Sequence, residues 1–167
     1  DCGADQVDAR LSRCQIVRKK DPHDWNSYDH YRTIHEKRIA DHPFINQDQQ
    51  NTLEFQFVEF EGVLFLTLEG QVFCHQNVVL EVEMIFETRV HGKGFLQIRG
   101  LLYRYVAWIK NGNPILRYHN LHLQDDDYHH RIFDKDTGEE VFYERLSREQ
   151  FPLFTDVLDE IEVLTAN

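Results

Sequence analysis

The sequence predicts an α+β protein: an antiparallel β-meander of about five or six strands with a C-terminal helix packed on one face, after a partly helical N-terminal extension. Three observations support this fold class. Apolar and polar residues alternate from Leu53 onward, as in half-buried strands. The pair Asn111-Gly112 separates two such stretches and is a strong hairpin signal. Apolar residues after Pro152 recur at helical spacing.

Residues 1–52 form the predicted extension, and residues 53–167 form the predicted sheet and C-terminal helix domain. The extension is polar and poor in β-branched residues. Within it, Asp24 or Ser27 can cap a short helix that ends near Pro43. The apolar positions of this helix recur at helical spacing, and they are Tyr28, Tyr31, Ile34 and Ile39. His35 lies on the same helix and is expected at the surface.

The strands of the meander are separated by turn signals. The expected strand segments are Leu53–Val58, Val63–Leu68, Val72–Cys74, Val78–Val90, Phe95–Lys110 and a returning strand from Ile115. The expected turns include Glu61-Gly62, Glu69-Gly70, the glycine-containing stretch 91–94, Asn111-Gly112 and the stretch 134–138. A series of phenylalanines is expected in the core: Phe55, Phe57, Phe60, Phe65 and Phe73.

The last predicted element is a helix that Pro152 opens at a first-turn position. One stripe of this helix is apolar and consists of Leu153, Phe154, Val157, Leu158, Ile161 and Leu164. The acidic residues Asp156, Asp159, Glu160 and Glu162 are expected to point outward. Such a helix buries its stripe against a sheet.

Composition narrows the function classes. The formal net charge of −11 gives a far field that repels nucleic acid and anionic lipid, although a local basic patch can persist within it. The sequence has no long apolar run and no signal-peptide pattern at its start, so we expect a cytoplasmic protein without a membrane partner. Cys2, Cys14 and Cys74 lack the spacing of a disulfide framework or zinc knuckle.

The densest chemistry lies between Arg117 and Arg131, where four imidazoles and two guanidiniums occur within fifteen residues. Histidine titrates near neutrality, so the cluster is a candidate acid/base site, metal site or pH switch, and the sequence leaves these three open. On the returning strand, Arg117 and His119 are expected on one face and Tyr118 on the other. The hairpin brings Arg104 and Trp108 close to the His119 region.

The order of these elements and their motifs resembles the TumE-like toxin family of bacterial and archaeal toxin–antitoxin modules. The resemblance covers about residues 60–162. It rests on a Tyr-x-Tyr strand at Tyr103–Tyr105, the Asn-Gly turn, the run Arg117-Tyr118-His119-Asn120, a histidine pair and the terminal helix 153–161. His122 takes the place of the family's first histidine, and the run His129-His130-Arg131 takes the place of its later basic run.

The sequence departs from the family pattern at two positions. His119 stands where the family usually has aspartate, and Ile132 falls where its last histidine would lie. The resemblance implies an RNA-cleaving toxin that a helix-turn-helix antitoxin restrains. It implies no cofactor.

RNA cleavage without a metal needs a base for the 2′-hydroxyl, an acid for the leaving oxygen and a cation for the phosphorane. Two histidines and an arginine can fill these roles. We expect His122 or His130 as base and acid, Arg117 or Arg131 as the cation, and Tyr118 or Tyr105 as a donor or stacking group. The candidate catalytic residues are Arg117, Tyr118, His119, His122, His129, His130 and Arg131.

Two other interpretations remain. The histidines, together with the acidic run Asp125–Asp127, offer enough ligands for a divalent metal, although no diagnostic spacing is present. The acidic run would also repel an incoming phosphate. The second interpretation is a non-catalytic interaction module, whose acidic surface and extension bind a protein partner.

Overall fold

The computed structural model describes residues 24–123 and 126–166. Residues 1–23 of the predicted extension, Asp125 of the acidic run and residue 167 lie outside the described residues. The strands are β1 (Asp24–Trp25), β2 (Glu54–Phe60), β3 (Val63–Phe73), β4 (Val78–Val90), β5 (Leu96–Ile109), β6 (Pro114–Asn120), β7 (Tyr128–Phe133) and β8 (Glu140–Leu146). The helices are α1 (Tyr28–Asp41) and α2 (Phe154–Thr165), with a short 3₁₀ turn at Arg148–Gln150.

Strands β2 to β8 lie side by side in chain order, each antiparallel to the next, and β1 pairs with β5. The predicted antiparallel meander and C-terminal helix are therefore confirmed, and the fold is α+β. The expected number of five or six strands is wrong, because the described residues contain an 8-stranded sheet. The additional strands are β1, β7 and β8. Strands β7 and β8 mix histidine, arginine and glutamate with their apolar residues, so they show little strand periodicity in the sequence.

Both helices pack on one face of the sheet, which we call the inner face. Ser27 caps α1 through its side chain, as predicted, and the Tyr31 ring contacts Phe55 and Phe86 on the sheet. In α2, Phe154 packs against Tyr105 of β5. The other face, the outer face, carries no helix among the described residues. Side chains alternate between the faces along each strand, so neighbouring residues meet different surroundings.

The turn expected at Glu69-Gly70 is wrong, because β3 continues through both residues. Gly70 has a φ of 144°, and a Cβ at this position would lie 2.3 Å from the carbonyl oxygen of Thr52. The backbone of Thr52 and Leu53, which leads into β2, passes so close to Gly70 that a side chain would not fit. The glycine therefore permits close backbone contact, and the chain does not change direction there.

The expected phenylalanine core is also partly wrong. Phe57 is 47% exposed and Phe60 is 62% exposed, and both lie on β2 at the edge of the sheet. The core is instead formed by central strands and both helices, with Tyr103, Tyr105, Phe86 and Leu158 among its largest buried side chains. An edge strand has a neighbour on one side only, so even alternating aromatic residues remain accessible there.

His35 was expected at the surface and is buried, with 5% of its area exposed. Its ring packs between Tyr31, Phe55 and Phe154. Burial lowers the pKa of His35 to about 4, with a smaller contribution from Arg38, so the ring is neutral at physiological pH. The helical spacing of Tyr31 and His35 already places both residues on one face of α1.

Candidate functional site

Strands β6 and β7 place most of the predicted site residues as directly opposed pairs. The register pairs Arg117 with Arg131, Tyr118 with His130, and His119 with His129. Because side chains alternate, the arginine pair and the His119–His129 pair lie on the outer face, whereas Tyr118 and His130 lie on the inner face beneath α2. The structure therefore divides the predicted cluster between two sites on opposite sides of the sheet.

The first site, which we call the outer strip, consists of Arg117, His119, His129 and Arg131. It lies within two rows that continue across the sheet. One row runs Arg104, His119, His129 and Arg145 over β5 to β8, and the next runs Val106, Arg117, Arg131 and Tyr143. The part of the outer face formed by β5 to β8 thus concentrates cations and imidazoles, despite the acidic net charge of the chain.

The two imidazoles of the outer strip are close together. The ring centroids of His119 and His129 lie 5.4 Å apart with the planes tilted by 30°. His129 Nδ1 is 2.6 Å from the Tyr143 hydroxyl, and His129 Nε2 lies 3.4 Å from Asp127 Oδ2. The ring of His129 is buried, whereas His119 is half-buried. A ligand above the strip would therefore meet His119 first.

His119 is held in its neutral form. Burial is the largest cause that lowers its pKa, and the neighbouring positive groups of His129, Arg117, Arg131 and Arg104 add to this effect, so the pKa is about 4. Its Nδ1 atom is buried and has no hydrogen-bond partner among the described residues. A neutral imidazole surrounded by cations keeps a lone pair that can accept a proton.

The two guanidiniums differ in their partners. Arg131 donates to Glu140 Oε1 at 2.7 Å, and its guanidinium lies 4.4 Å from the Tyr143 ring centroid. Arg117 is exposed and forms no ion pair with any carboxylate of the described residues. Its guanidinium lies 6.0 Å from the ring centroid of Phe133. Arg117 is consequently the cation most available to an incoming anion.

The second site, which we call the inner network, consists of Tyr118, His130, Glu144 and Glu160. His130 lies between two carboxylates, with Nδ1 2.8 Å from Glu144 Oε2 and Nε2 2.9 Å from Glu160 Oε2. The Tyr118 hydroxyl donates a short hydrogen bond to Glu160 Oε1, and its ring stacks on His130 with a centroid distance of 4.0 Å. The network joins β6, β7, β8 and α2.

Each nitrogen of His130 faces a carboxylate, so both nitrogens donate and the ring is an imidazolium. Burial lowers the pKa of His130, but the hydrogen bonds that its ring donates to Glu160 and Glu144 outweigh burial and raise the pKa above its usual value. Burial and the bond to Glu160 raise the pKa of Tyr118 far beyond the physiological range. The inner network thus holds the His130 proton between two carboxylates, and the Tyr118 hydroxyl is committed as a donor to Glu160.

His122 belongs to neither group. It lies exposed in the turn after β6, and its carbonyl accepts a hydrogen bond from the side chain of Asn120 at 3.1 Å. Asn120 also accepts from the Tyr103 backbone at 2.8 Å and donates to the Leu101 carbonyl at 2.9 Å. The asparagine of the motif therefore anchors the end of β6 to β5.

Several residues of the two sites were not found from the sequence. Tyr143 and Glu144 lie on β8, which was not predicted, and Glu160 was expected to point outward from α2. Instead, Glu160 faces the sheet and its side chain is 24% exposed. On the outer face, Arg104 pairs across strands with Glu81 and Glu83, at 3.8 and 3.6 Å. Arg99 lies 4.0 Å from Glu87.

The described residues contain no group of three or more histidine, cysteine, aspartate or glutamate side chains arranged to hold a metal ion. No helix within them has the length and apolar character needed to cross a membrane. No family model, curated protein or solved structure matches this chain.

Proposed function

We propose that this protein is a ribonuclease related to the TumE-like toxins and that the outer strip is its catalytic site. The observation that carries the proposal is the register of β6 and β7, which sets two imidazoles beside two guanidiniums on an open sheet face. These are the groups that an acid/base cleavage of RNA needs: a proton acceptor, a proton donor and cations for the phosphate.

In the proposed reaction, neutral His119 takes the proton of a ribose 2′-hydroxyl, and the 2′-oxygen attacks the adjacent phosphorus. Arg117 and Arg131 stabilise the negative charge that develops on the phosphorane. The bond to the 5′-oxygen breaks, and His129 in its protonated form gives its proton to that oxygen. The products are a 2′,3′-cyclic phosphate and a 5′-hydroxyl, and no oxidant or metal takes part in the step.

This assignment differs from the roles that the resemblance suggests. His122 lies outside the outer strip, and His130 is on the opposite face with both nitrogens engaged. His119 stands where the family usually has aspartate, so the base role falls to a residue at which this sequence departs from the family pattern. The resemblance further supports a helix-turn-helix antitoxin as partner and a cytoplasmic location, where the RNA substrate is found.

The test is cleavage of a fluorescent RNA by purified protein in the presence of a chelator. We expect a 2′,3′-cyclic phosphate end from the wild type and no cleavage of the matching 2′-deoxy strand. His119→Ala is expected to reduce the rate by roughly 10²- to 10⁴-fold. The control His91→Ala removes an exposed turn histidine and should leave the rate unchanged.

His122→Ala separates the two assignments. Full activity in this variant, together with loss in His119→Ala, would support the outer strip. Loss of cleavage in His122→Ala, with cleavage retained in His119→Ala, would assign the base role to His122 in the turn after β6. If folded wild-type protein leaves structured and unstructured RNA intact, the ribonuclease proposal fails.

A non-catalytic interaction module is the second candidate function. The net charge of −11 favours it, because that charge opposes approach of RNA over most of the surface. The exposed edge strand β2 also favours it, since its apolar side chains Phe57 and Phe60 are 47% and 62% exposed. In this case the protein would bind a partner and leave RNA unchanged.

A further inference from the structure

We infer that the free edge of β2 is a docking site for an extended, basic segment of a partner protein, which adds to the sheet as a further strand. This site lies at the β2 edge of the sheet, several strands away from the outer strip on β6 and β7, and the inference does not depend on ribonuclease activity. It is carried by three features of β2: an edge without a strand partner among the described residues, a partly apolar groove on its inner side and an acidic depression on its outer side.

The edge of β2 has little of the usual protection, and its charged side chains are Glu54 and Glu59. Among the described residues, β2 pairs only with β3, so one side of its backbone has no strand partner. The strand contains no lysine, arginine or proline, and its register with β3 has no bulge. Natural edge strands generally contain such residues or a bulge, because these prevent an open edge from pairing with strands of other chains. At the other end of the sheet, β8 contains Arg145 and is paired through a bulge near Phe133.

A groove lies on the inner side of this edge at the start of β2, between β2 and α1. Its volume is about 310 Å³; its apolar walls include Ile39, Leu53, Phe55 and Leu68, and Glu36, Gln47 and Asn51 form its polar part. His35 also lines the groove, and its buried Nε2 atom has no hydrogen-bond partner among the described residues. Inward-facing side chains of an added strand would enter this groove, so they should be apolar.

A depression of about 480 Å³ lies on the outer side of the same edge, lined by Glu54, Glu69, Glu81 and Glu83. Glu54 lies opposite Glu69, and Glu69 lies opposite Glu83, so three carboxylates form one row across β2, β3 and β4. Like charges directly opposite each other destabilise a sheet. Arg104 neutralises only the β4 end of this row, at Glu81 and Glu83.

Charge complementarity therefore selects the occupant. Outward-facing lysine or arginine side chains on an added strand would continue the row and relieve the repulsion between Glu54 and Glu69. Since side chains alternate along a strand, the partner segment should alternate apolar and basic residues. A second copy of this chain is disfavoured, because β2 carries Glu54 and Glu59 without any basic residue.

The test uses a labelled ten-residue peptide of alternating valine and lysine, capped at both ends, and follows binding to the full chain by fluorescence anisotropy. One control peptide alternates valine and glutamate, and a second has separate valine and lysine blocks. We expect the alternating basic peptide alone to bind, with amide chemical shifts changing along residues 54–60. The double variant Glu54→Gln/Glu69→Gln should weaken binding roughly tenfold.

Glu162→Gln is the matched control, because it removes one exposed carboxylate on α2 away from the edge and should bind as the wild type does. Circular dichroism verifies that the double variant is folded. Failure of the alternating basic peptide to bind would overturn the inference. Equal binding by the double variant, or shifts confined to other strands, would also overturn it. Concentration-dependent dimerisation through residues 54–60 would identify a second copy as the occupant instead.

Discussion

His129 and His130 are consecutive in sequence but occupy opposite faces of one strand. His130 is held between Glu144 and Glu160, so both of its nitrogens are committed. His129 lies beside a second imidazole and near exposed Arg117, on a face that no described helix covers. The comparison shows that the same side chain is held between two carboxylates on the inner face, whereas on the outer face it contacts a tyrosine hydroxyl, an aspartate and a second imidazole. The partners and the charge around the ring decide the difference.

Loss of His130 should have the largest effect on stability. His130→Ala removes the cation between two glutamates and the ring stacked on Tyr118, so we expect the free energy of unfolding to fall by about 2–3 kcal/mol. Denaturant unfolding measures this value. The matched variant His129→Ala loses one hydrogen bond to Tyr143 and should cost about 1 kcal/mol. Equal losses in the two variants would contradict the distinction between the faces.

Tyr118→Phe should have an intermediate effect. It removes one hydrogen bond to Glu160 and keeps the stacked ring, so the free energy of unfolding should fall by about 1 kcal/mol. Tyr143→Phe, which removes the hydroxyl beside His129 on the outer face, is the comparison variant. If Tyr118→Phe is as stable as the wild type, the hydroxyl contributes nothing to the inner network.

The folded-state pKa values of His130 and His119 should be shifted in opposite directions. The pKa of His130 is raised in the folded state, so its stabilising contribution is complete below the unfolded value of roughly 6.5 and disappears as pH rises through the folded value. The pKa of His119 is lowered to about 4, so its neutral form costs stability as pH falls from about 6.5 toward 4.

Histidine ring resonances followed by NMR during a pH titration measure both values. We expect the His130 midpoint above, and the His119 midpoint below, the ordinary histidine value of roughly 6.5. His130→Gln should also abolish the alkaline part of the stability loss. A His130 midpoint at or below roughly 6.5 would show that the glutamates do not hold the proton.

Arg117→Ala should have the smallest effect on stability. Its guanidinium is exposed and has no carboxylate partner among the described residues, so the free energy of unfolding should change by less than about 0.5 kcal/mol. RNA cleavage by this variant should nevertheless fall by roughly 10²-fold, since a phosphorane-stabilising cation is removed. Unchanged cleavage, measured beside the Arg89→Ala control, would exclude Arg117 from the site.

Sequence patterns predicted the features that depend on neighbouring residues. Asn111 adopts a φ of 59° in the turn before β6, as the Asn-Gly pair indicated. The alternation that separated Arg117 and His119 from Tyr118 was also correct, since Tyr118 is buried and Arg117 is exposed. Such predictions succeed because turn geometry and side-chain alternation are local properties of the backbone.

Features that depend on strand register could not be predicted. The contacts of His130 require the pairings of β6 with β7 and of β7 with β8, which are joined by connections whose lengths do not determine a register. Glu160 reaches the network only because α2 lies over these strands. The sequence also placed His122 in the site, because it lies close along the chain, although the strand ends at Asn120.

Arg148 illustrates a consequence for folding kinetics. Most strand pairs join successive strands and close short loops, which is the inexpensive order of assembly. Arg148, which follows β8, donates to Asp24 of β1 at 2.9 Å across a separation of 124 residues. It also donates to the Tyr128 hydroxyl at 3.0 Å. The meander can thus assemble hairpin by hairpin, whereas the contact between β1 and Arg148 must wait until β5, which pairs with β1, and the segment after β8 are both in place. We therefore expect the contact between Arg148 and Asp24 to form late in folding.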